Sequence, residues 1–147
     1  MTLPSQFTQE NTENIFIYHY VEEMIANYGR YVEEELEETD VKRSEIQFLI
    51  RIRFTGKTTQ KELVELFKVS EGYTAKLLRK FEDNGYITRY EDPSNRRQKI
   101  VELTDKGIEK TDELFELIDN WEKNVTSKMT DDEVKTLKRL LFKVVEP

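Results

Sequence analysis

Cysteine is absent from this chain. That excludes disulfides, thiolate nucleophiles, thiol-based peroxide sensing and cysteine-ligated metal. Histidine is limited to His19, which argues against a Ser-His-Asp triad and rules out a histidine-rich zinc sensor within one chain. The five glycines, at 29, 56, 72, 85 and 107, are scattered, so no glycine-rich phosphate loop exists. No apolar run approaches the roughly 18 residues of a membrane span; in the N-terminal part the longest is Ile15-Phe16-Ile17-Tyr18. The opening Met1-Thr2-Leu3-Pro4-Ser5-Gln6 has no basic n-region, so no export signal is expected. Among 30 acidic residues no carboxylate pair stands out. The expectation is a cytoplasmic protein with no membrane partner, no cofactor, no metal and no catalytic residues.

The 147 residues suit one domain, extended by helices. Charged residues make up 36% and apolar residues 37%, a ratio that by itself would allow disorder. Eight Phe, seven Tyr and one Trp, with only three Pro, argue instead for a folded chain with a modest core and long solvated helices. The net charge of −7 is unevenly spread: −6 over residues 1–56, +2 over 57–107 and −3 over 108–147. Screening confines charge effects to about 8–10 Å, so a mildly basic middle can bind phosphate inside an acidic chain. Ordinary solvated helices at both ends explain the same numbers.

Apolar spacing predicts a long helix from about Thr12 to Glu38, with Ile17, Val21, Met24, Tyr28, Tyr31 and Val32 on one stripe. Phe16, Tyr20 and Ile25 widen that stripe, and Glu33-Glu34-Glu35 and Glu37-Glu38 end it. A second helix is expected over Lys42–Phe54, with Ile46, Leu49, Ile50 and Phe54 inward and Gly56 as its terminator. Thr59-Gln60-Lys61-Glu62 is a capping box opening a short helix with Leu63, Leu66 and Phe67 inside. Ser70 caps the next helix, which stops at Asn84-Gly85. The period then turns to alternation over Tyr86–Tyr90 and Lys99–Leu103, joined by a long cationic loop, Glu91 to Gln98. Thr104 caps a helix to about Val125, bearing Ile108, Leu114, Phe115, Leu117, Ile118 and Trp121. Thr130-Asp131-Asp132-Glu133 is a second capping box, opening the last helix.

Helix, helix, turn, helix, β-hairpin is the order of a winged helix-turn-helix. At about 100° per residue, Thr74, Leu77, Leu78 and Phe81 share the inward arc of the third helix. The outward arc carries Gly72, Ala75, Lys76 and Arg79, flanked by Tyr73 and Lys80. Ser70, Glu71, Gly72 and Tyr73 stand at the N-terminal end, where such helices read base edges, and the cations can reach phosphates or guanine. An ordinary amphipathic surface helix would look similar. Arg96 and Arg97 in a Pro/Ser/Asn loop have no packing role, whereas an arginine held out on a hairpin suits a narrow minor groove. Arg89 and Lys99 can serve nearby phosphates; a loop kept soluble by charge is the bland alternative.

The run Thr59–Gly107 resembles the MarR family of transcriptional regulators. The likeness rests on Gln60-Lys61-Glu62-Leu63, Val69-Ser70, Leu77 to Phe81, Asn84-Gly85-Tyr86-Ile87, Arg89, Asp92-Pro93-Ser94-Asn95-Arg96-Arg97 and Leu103-Thr104-Asp105-Lys106-Gly107. It implies a mainly α (α+β) fold in one domain, 1–147, with a winged-helix lobe at 41–103. Residues 12–38 and 104–145 would form long N- and C-terminal dimerisation helices. It also implies a homodimer whose wings grip a pseudo-palindromic operator in double-stranded DNA, most simply as a repressor. Where the family usually has an acidic brace two residues before the wing arginine, this chain has Asn95. Symmetric pairing of the apolar ends would cover what a small lobe cannot, the alternative being a monomer with its helices folded on themselves. Small aromatic or amphipathic effectors enter the junction in that family, and Tyr28, Tyr31, Phe48, Arg51 and Arg53 are the residues expected to line it here. The competing function is a winged helix used for protein–protein contact in a larger assembly.

Overall fold

The computed structural model describes residues 3–36 and 38–147. Met1, Thr2 and Glu37, which belong to the leader reading and the acidic run above, lie outside the described residues. The chain runs through a 3-10 turn (Gln9–Asn14), α1 (Ile17–Glu35), α2 (Arg43–Thr55), β1 (Lys57–Thr59), α3 (Gln60–Phe67), α4 (Glu71–Asp83), β2 (Ile87–Asp92), β3 (Asn95–Leu103), α5 (Asp105–Val125) and α6 (Asp131–Val145).

The first helix is shorter than its apolar spacing suggests. Ile15 is buried, and both Ile15 and Phe16 have extended backbones, which separate the 3-10 turn from α1. Phe7 meets the Tyr20 ring edge-on at 5.4 Å, and the Tyr20 hydroxyl donates to the Thr12 carbonyl at 3.0 Å. These contacts fold the N-terminal segment back on α1. At the other end Leu36 caps α1 through its N–H to the Val32 carbonyl.

The inward face of α2 also differs from expectation. Ile46, Phe48, Leu49 and Ile52 are buried, while Phe54 is 73% exposed. Phe48 turns into the lobe, its ring centroid 4.3 Å from that of Phe67 on α3. Phe54 instead lies against Phe115 of α5, centroids 5.5 Å apart. Gly56 ends the helix at φ 72°, a conformation that favours glycine.

The sheet is antiparallel with order β1-β3-β2. β1 pairs Lys57–Thr59 with Ile100–Glu102; three residues carry too little alternation to show in the sequence. Val101 of β3 and Ile87 of β2 face the core, joined there by Leu63 of α3 and by Leu77, Leu78 and Phe81 of α4. Only Val32 from the end of α1 and Leu114 from α5 enter this core from the flanking helices. Tyr28, Tyr31, Leu117 and Ile118 pack half-buried against it, while Ile17, Val21, Met24 and Ile25 of α1 and Leu140, Leu141, Phe142 and Val144 of α6 are exposed. Within the chain α6 buries no residue at all.

The start of α5 is pressed against the corner between α4 and β2. Thr104 caps α5, its hydroxyl accepting from the Gly107 N–H at 3.0 Å. Its own N–H donates to the Tyr86 carbonyl at 3.0 Å. A Cβ at Gly107 would stand 2.0 Å from that carbonyl oxygen, so only glycine fits. The Tyr86 hydroxyl donates to both oxygens of Asp40, at 2.7 and 2.9 Å, and Lys110 lies 3.7 Å from the same carboxylate. Burial and the Asp40 carboxylate push the tyrosine pKa upward. Burial pulls the Asp40 pKa up, but the Tyr86 hydroxyl and Lys110 outweigh it and hold it below its ordinary value. Gly107→Ala is expected to cost about 1–3 kcal/mol through overpacking against rigid backbone, read as a lower urea midpoint. An unchanged midpoint would mean the corner can open.

Candidate nucleic-acid interface

Helix α4 is shaped by its own cap. The Ser70 hydroxyl accepts from the Tyr73 N–H at 3.1 Å and the Thr74 hydroxyl returns to the Ser70 carbonyl at 3.1 Å. Before it, the α3 capping box is complete: Glu62 accepts from the Thr59 N–H at 2.9 Å, and Thr59 accepts from the Glu62 N–H at 3.2 Å. Lys68 closes α3 in the left-handed region at φ 52°, which makes the turn between the two helices tight. Thr74, Leu77, Leu78 and Phe81 are buried, as their spacing predicts. Glu71, Gly72, Tyr73, Lys76 and Arg79 are therefore left on the surface, with Ala75 half-buried at its edge. Nothing lies within 4 Å of where a Gly72 Cβ would stand. Packing does not explain that glycine, although it weakens a helix.

Two of the expected cations are committed elsewhere. The Lys80 ammonium lies 2.8 and 2.9 Å from the two oxygens of Glu45. Glu45 also accepts from the Lys42 N–H at 2.9 Å, capping α2, so Lys80 ties the outer helix to the start of α2. Arg89 pairs in a fork with Glu82, at 3.0 and 3.3 Å, and its hydrogen bond holds the Glu82 carboxyl below its usual pKa. Sequence reading missed both acids. Glu45 is concealed because a lysine, not a Ser or Thr, precedes α2; Glu82 looked like one more solvated helix carboxylate.

The wing is tighter than a long loop. Pro93 and Ser94 alone form the turn, and β3 starts at Asn95. Asp92 pairs with Asn95 and Glu91 with Lys99, so Arg96, Arg97 and Gln98 bulge from β3 where β2 has no intervening residue. Asp92 holds the base of this bulge, accepting from the Ser94 hydroxyl at 2.7 Å, the Ser94 N–H at 2.9 Å and the Gln98 amide at 3.2 Å. The Ser94 hydroxyl, foremost, lowers its pKa. Asn95 accepts from the Arg97 N–H at 3.2 Å and so braces the backbone of Arg97 rather than its guanidinium. Asn95, Arg96, Arg97 and Lys99 are exposed. Among the described residues Lys76, Arg79, Arg96, Arg97 and Lys99 form no ion pair. One helix face and one hairpin thus present unspent positive charge on a chain that is acidic overall.

A crevice of about 1180 Å³ opens between α1, α2, the end of α3 and Ile118 of α5, lined in part by Tyr28, Arg43, Ile50, Arg51, Phe54 and Phe67. Of the five residues expected at such a junction, Tyr28 and Arg51 are there. Tyr31 lines a separate small cavity between α1 and α5. Phe48 is 1% exposed and belongs to the core. Arg53 is engaged with α5: it donates to Thr111 Oγ1 at 2.8 Å and the Ile108 carbonyl at 3.0 Å, and pairs with Asp112 at 3.0 Å. Sequence spacing alone did not reveal Arg43, whose guanidinium lies where a Gly29 Cβ would be.

Residues 41–99 match the model of the MarR family. The HTH-type transcriptional regulator BilQ of Clostridium symbiosum is 27% identical over 132 residues, covering 90% of this chain and 91% of that protein. Wild-type MarR from E. coli in its apo form superposes with a TM-score of 0.78 at 26% identity, over 90% of this chain and 98% of that one. A mutant E. coli MarR complexed with operator DNA gives 0.72 at 25% identity, over 95% and 100%. For the present chain, Lys80→Ala is expected to lower the urea midpoint because it strands the mostly buried Glu45. Lys76→Ala should leave stability within about 0.5 kcal/mol, as for surface positions without partners. Equal effects of the two would show that the Lys80 contact contributes nothing.

Proposed function

We propose that this chain is a MarR-family protein, a homodimeric, sequence-specific DNA-binding transcriptional regulator that represses by occluding a promoter; the match of residues 41–99 and the likeness to BilQ and MarR support the reading. The observation that carries this is the set of unpaired cations on α4 and on the wing bulge, two elements that a winged helix places against adjacent grooves. The comparison protein solved with operator DNA shares the fold over nearly the whole chain. We assign residues 41–103 to the DNA-binding lobe and residues 12–38 and 104–145 to the dimerisation region. The exposed apolar faces of α1 and α6 fit the second role. A single lobe makes few phosphate contacts; two lobes fixed about 34–36 Å apart, or a multiple of that, make the second contact intramolecular.

Within the lobe, Glu71, Gly72, Tyr73 and Lys76 face the base edges, and Ser70 sets the end of the helix. Arg79 and Lys99 serve phosphates, Arg96 and Arg97 enter the minor groove, and Lys80 and Arg89 hold the scaffold through Glu45 and Glu82. The α1–α2–α5 crevice carries aromatic walls and the cations Lys42, Arg43 and Arg51 against Glu33, which suits a small aromatic or amphipathic anion as effector. Salicylate is the simplest probe: thermal stability should rise and duplex affinity fall as it saturates, and no change in either would remove effector control at this crevice.

Selection of duplexes from a random pool should return a two-fold symmetric consensus. Affinity for it should fall steeply with salt, the slope reflecting several phosphates per dimer. Arg97→Ala is expected to weaken binding to all duplexes and to flatten that slope by about one phosphate per wing. Binding that ignores salt and Arg97 would favour a protein–protein module instead. Gly72→Ala should stabilise the fold by about 0.5–1 kcal/mol while weakening the selected duplex, because the added methyl occupies the space between helix and groove floor. A variant that gains stability and keeps its affinity would place the groove elsewhere.

A further inference from the structure

We propose that Arg53 is a positioning residue for operator spacing. It fixes the angle at which the DNA-binding lobe sits on α5, and so the separation of the two α4 helices in the dimer. The inference rests on the DNA-binding reading above and adds what determines half-site distance.

The lobe meets α5 through apolar packing, with Leu114 in the lobe's core and Phe54 against Phe115, and through two polar attachments. The first is the corner at Tyr86, where Gly107 is in backbone contact and Lys106 Nζ donates to the Asn84 carbonyl at 2.8 Å. Apolar packing is non-directional, so beside it this corner by itself constrains the angle only weakly. The second attachment is Arg53, one to two turns further along α5. It comes from the last turn of α2, whose other face is the lobe's core. Its guanidinium spans the Ile108 carbonyl, the Thr111 hydroxyl and the Asp112 carboxylate, and lies 5.7 Å from the centroid of the Phe115 ring. Thr111 is fully buried, and its hydroxyl also donates back to the Ile108 carbonyl at 2.9 Å. A planar fork with fixed donor directions holds an orientation, as a lysine ammonium does not. Removing it leaves the angle to the Tyr86 corner and to the non-directional packing of Leu114 and Phe54.

Operator reading is sensitive to a change in that angle. A sideways displacement by one base-pair rise, about 3.4 Å, brings α4 over the wrong bases. Each misread base pair costs about tenfold in affinity. The stability of the lobe need not change much, because Arg53 touches none of the lobe's apolar core.

The test uses the full chain and three duplexes. They carry the selected symmetric site at its own half-site spacing, one base pair shorter and one base pair longer. Wild type should prefer its own spacing by about tenfold or more. Arg53→Ala should narrow that preference to a few-fold while sedimenting as wild type does, and Arg53→Lys should fall between. Arg97→Ala should weaken all three duplexes together and keep the preference. If Arg53→Ala does not fold, Thr111→Val removes one partner of the fork without changing side-chain volume and should also narrow the preference. Retention of the wild-type preference by Arg53→Ala, or by Thr111→Val where the first is unfolded, overturns the proposal. A wild-type protein that binds none of the duplexes would overturn the DNA-binding reading itself.

Discussion

A missing side chain at position 107 sets the geometry of this molecule. With 2.0 Å between a notional Cβ and the Tyr86 carbonyl, α5 can back directly onto the corner from which the wing departs. Everything outward of that contact inherits its direction: the wing through β2, the outer helix through the Asn84-Gly85 stop, and the long terminal helices through α5. The polar groups around it are satisfied, since Thr104, Tyr86, Asp40, Lys106 and Lys110 all find partners. A close backbone approach with its hydrogen bonds made resists deformation, because any separation leaves buried polar groups without water.

Electrostatics in this chain works by subtraction. Acids outnumber bases overall, yet on the lobe four of them are engaged: Glu45 with Lys80, Glu82 with Arg89, Glu62 with the α3 cap, and Asp92 with the wing turn. Exposed acids such as Glu71 and Glu91 remain there, but so do Lys76, Arg79, Arg96, Arg97 and Lys99, without an ion pair among the described residues. Pairing some cations internally makes the remaining field local, which suits contact with phosphates within a Debye length rather than attraction from afar. The same pairings stiffen the elements that carry the free cations.

The helical skeleton was legible because helix ends are written locally. Thr59, Ser70, Thr104 and Thr130 each cap the helix expected of them, since a hydroxyl and the N–H groups it satisfies lie within three residues. The inward face of α4 was legible for the same reason of period. Features that depend on distant partners were not. Phe54 was assigned from its spacing on α2 and Arg53 from its charge near the junction, but their partners, Phe115 and Thr111, lie on α5 and decide where they point. β1 exists only because β3 passes beside it. The break before α1 follows from Ile15 finding a buried position, which local periodicity does not encode. In the candidate site, the exposed arginines of the wing were readable from turn chemistry, whereas the commitment of Lys80 and Arg89 required seeing which acids they meet.

The bareness of α6 has a consequence for the life of the chain. A fifteen-residue helix is marginal in water without tertiary support, and this one has little from its own subunit beyond a half-buried Val134 and the Lys138–Glu122 ion pair. If the proposed dimer buries its apolar face, α6 would form in full only where copies are numerous enough to meet. Dilution would fray the C-terminus first and return each subunit to a lobe with loose ends, exposed to proteases. The number of molecules in a cell would then govern how many of them are whole, and scarcity would hasten their removal.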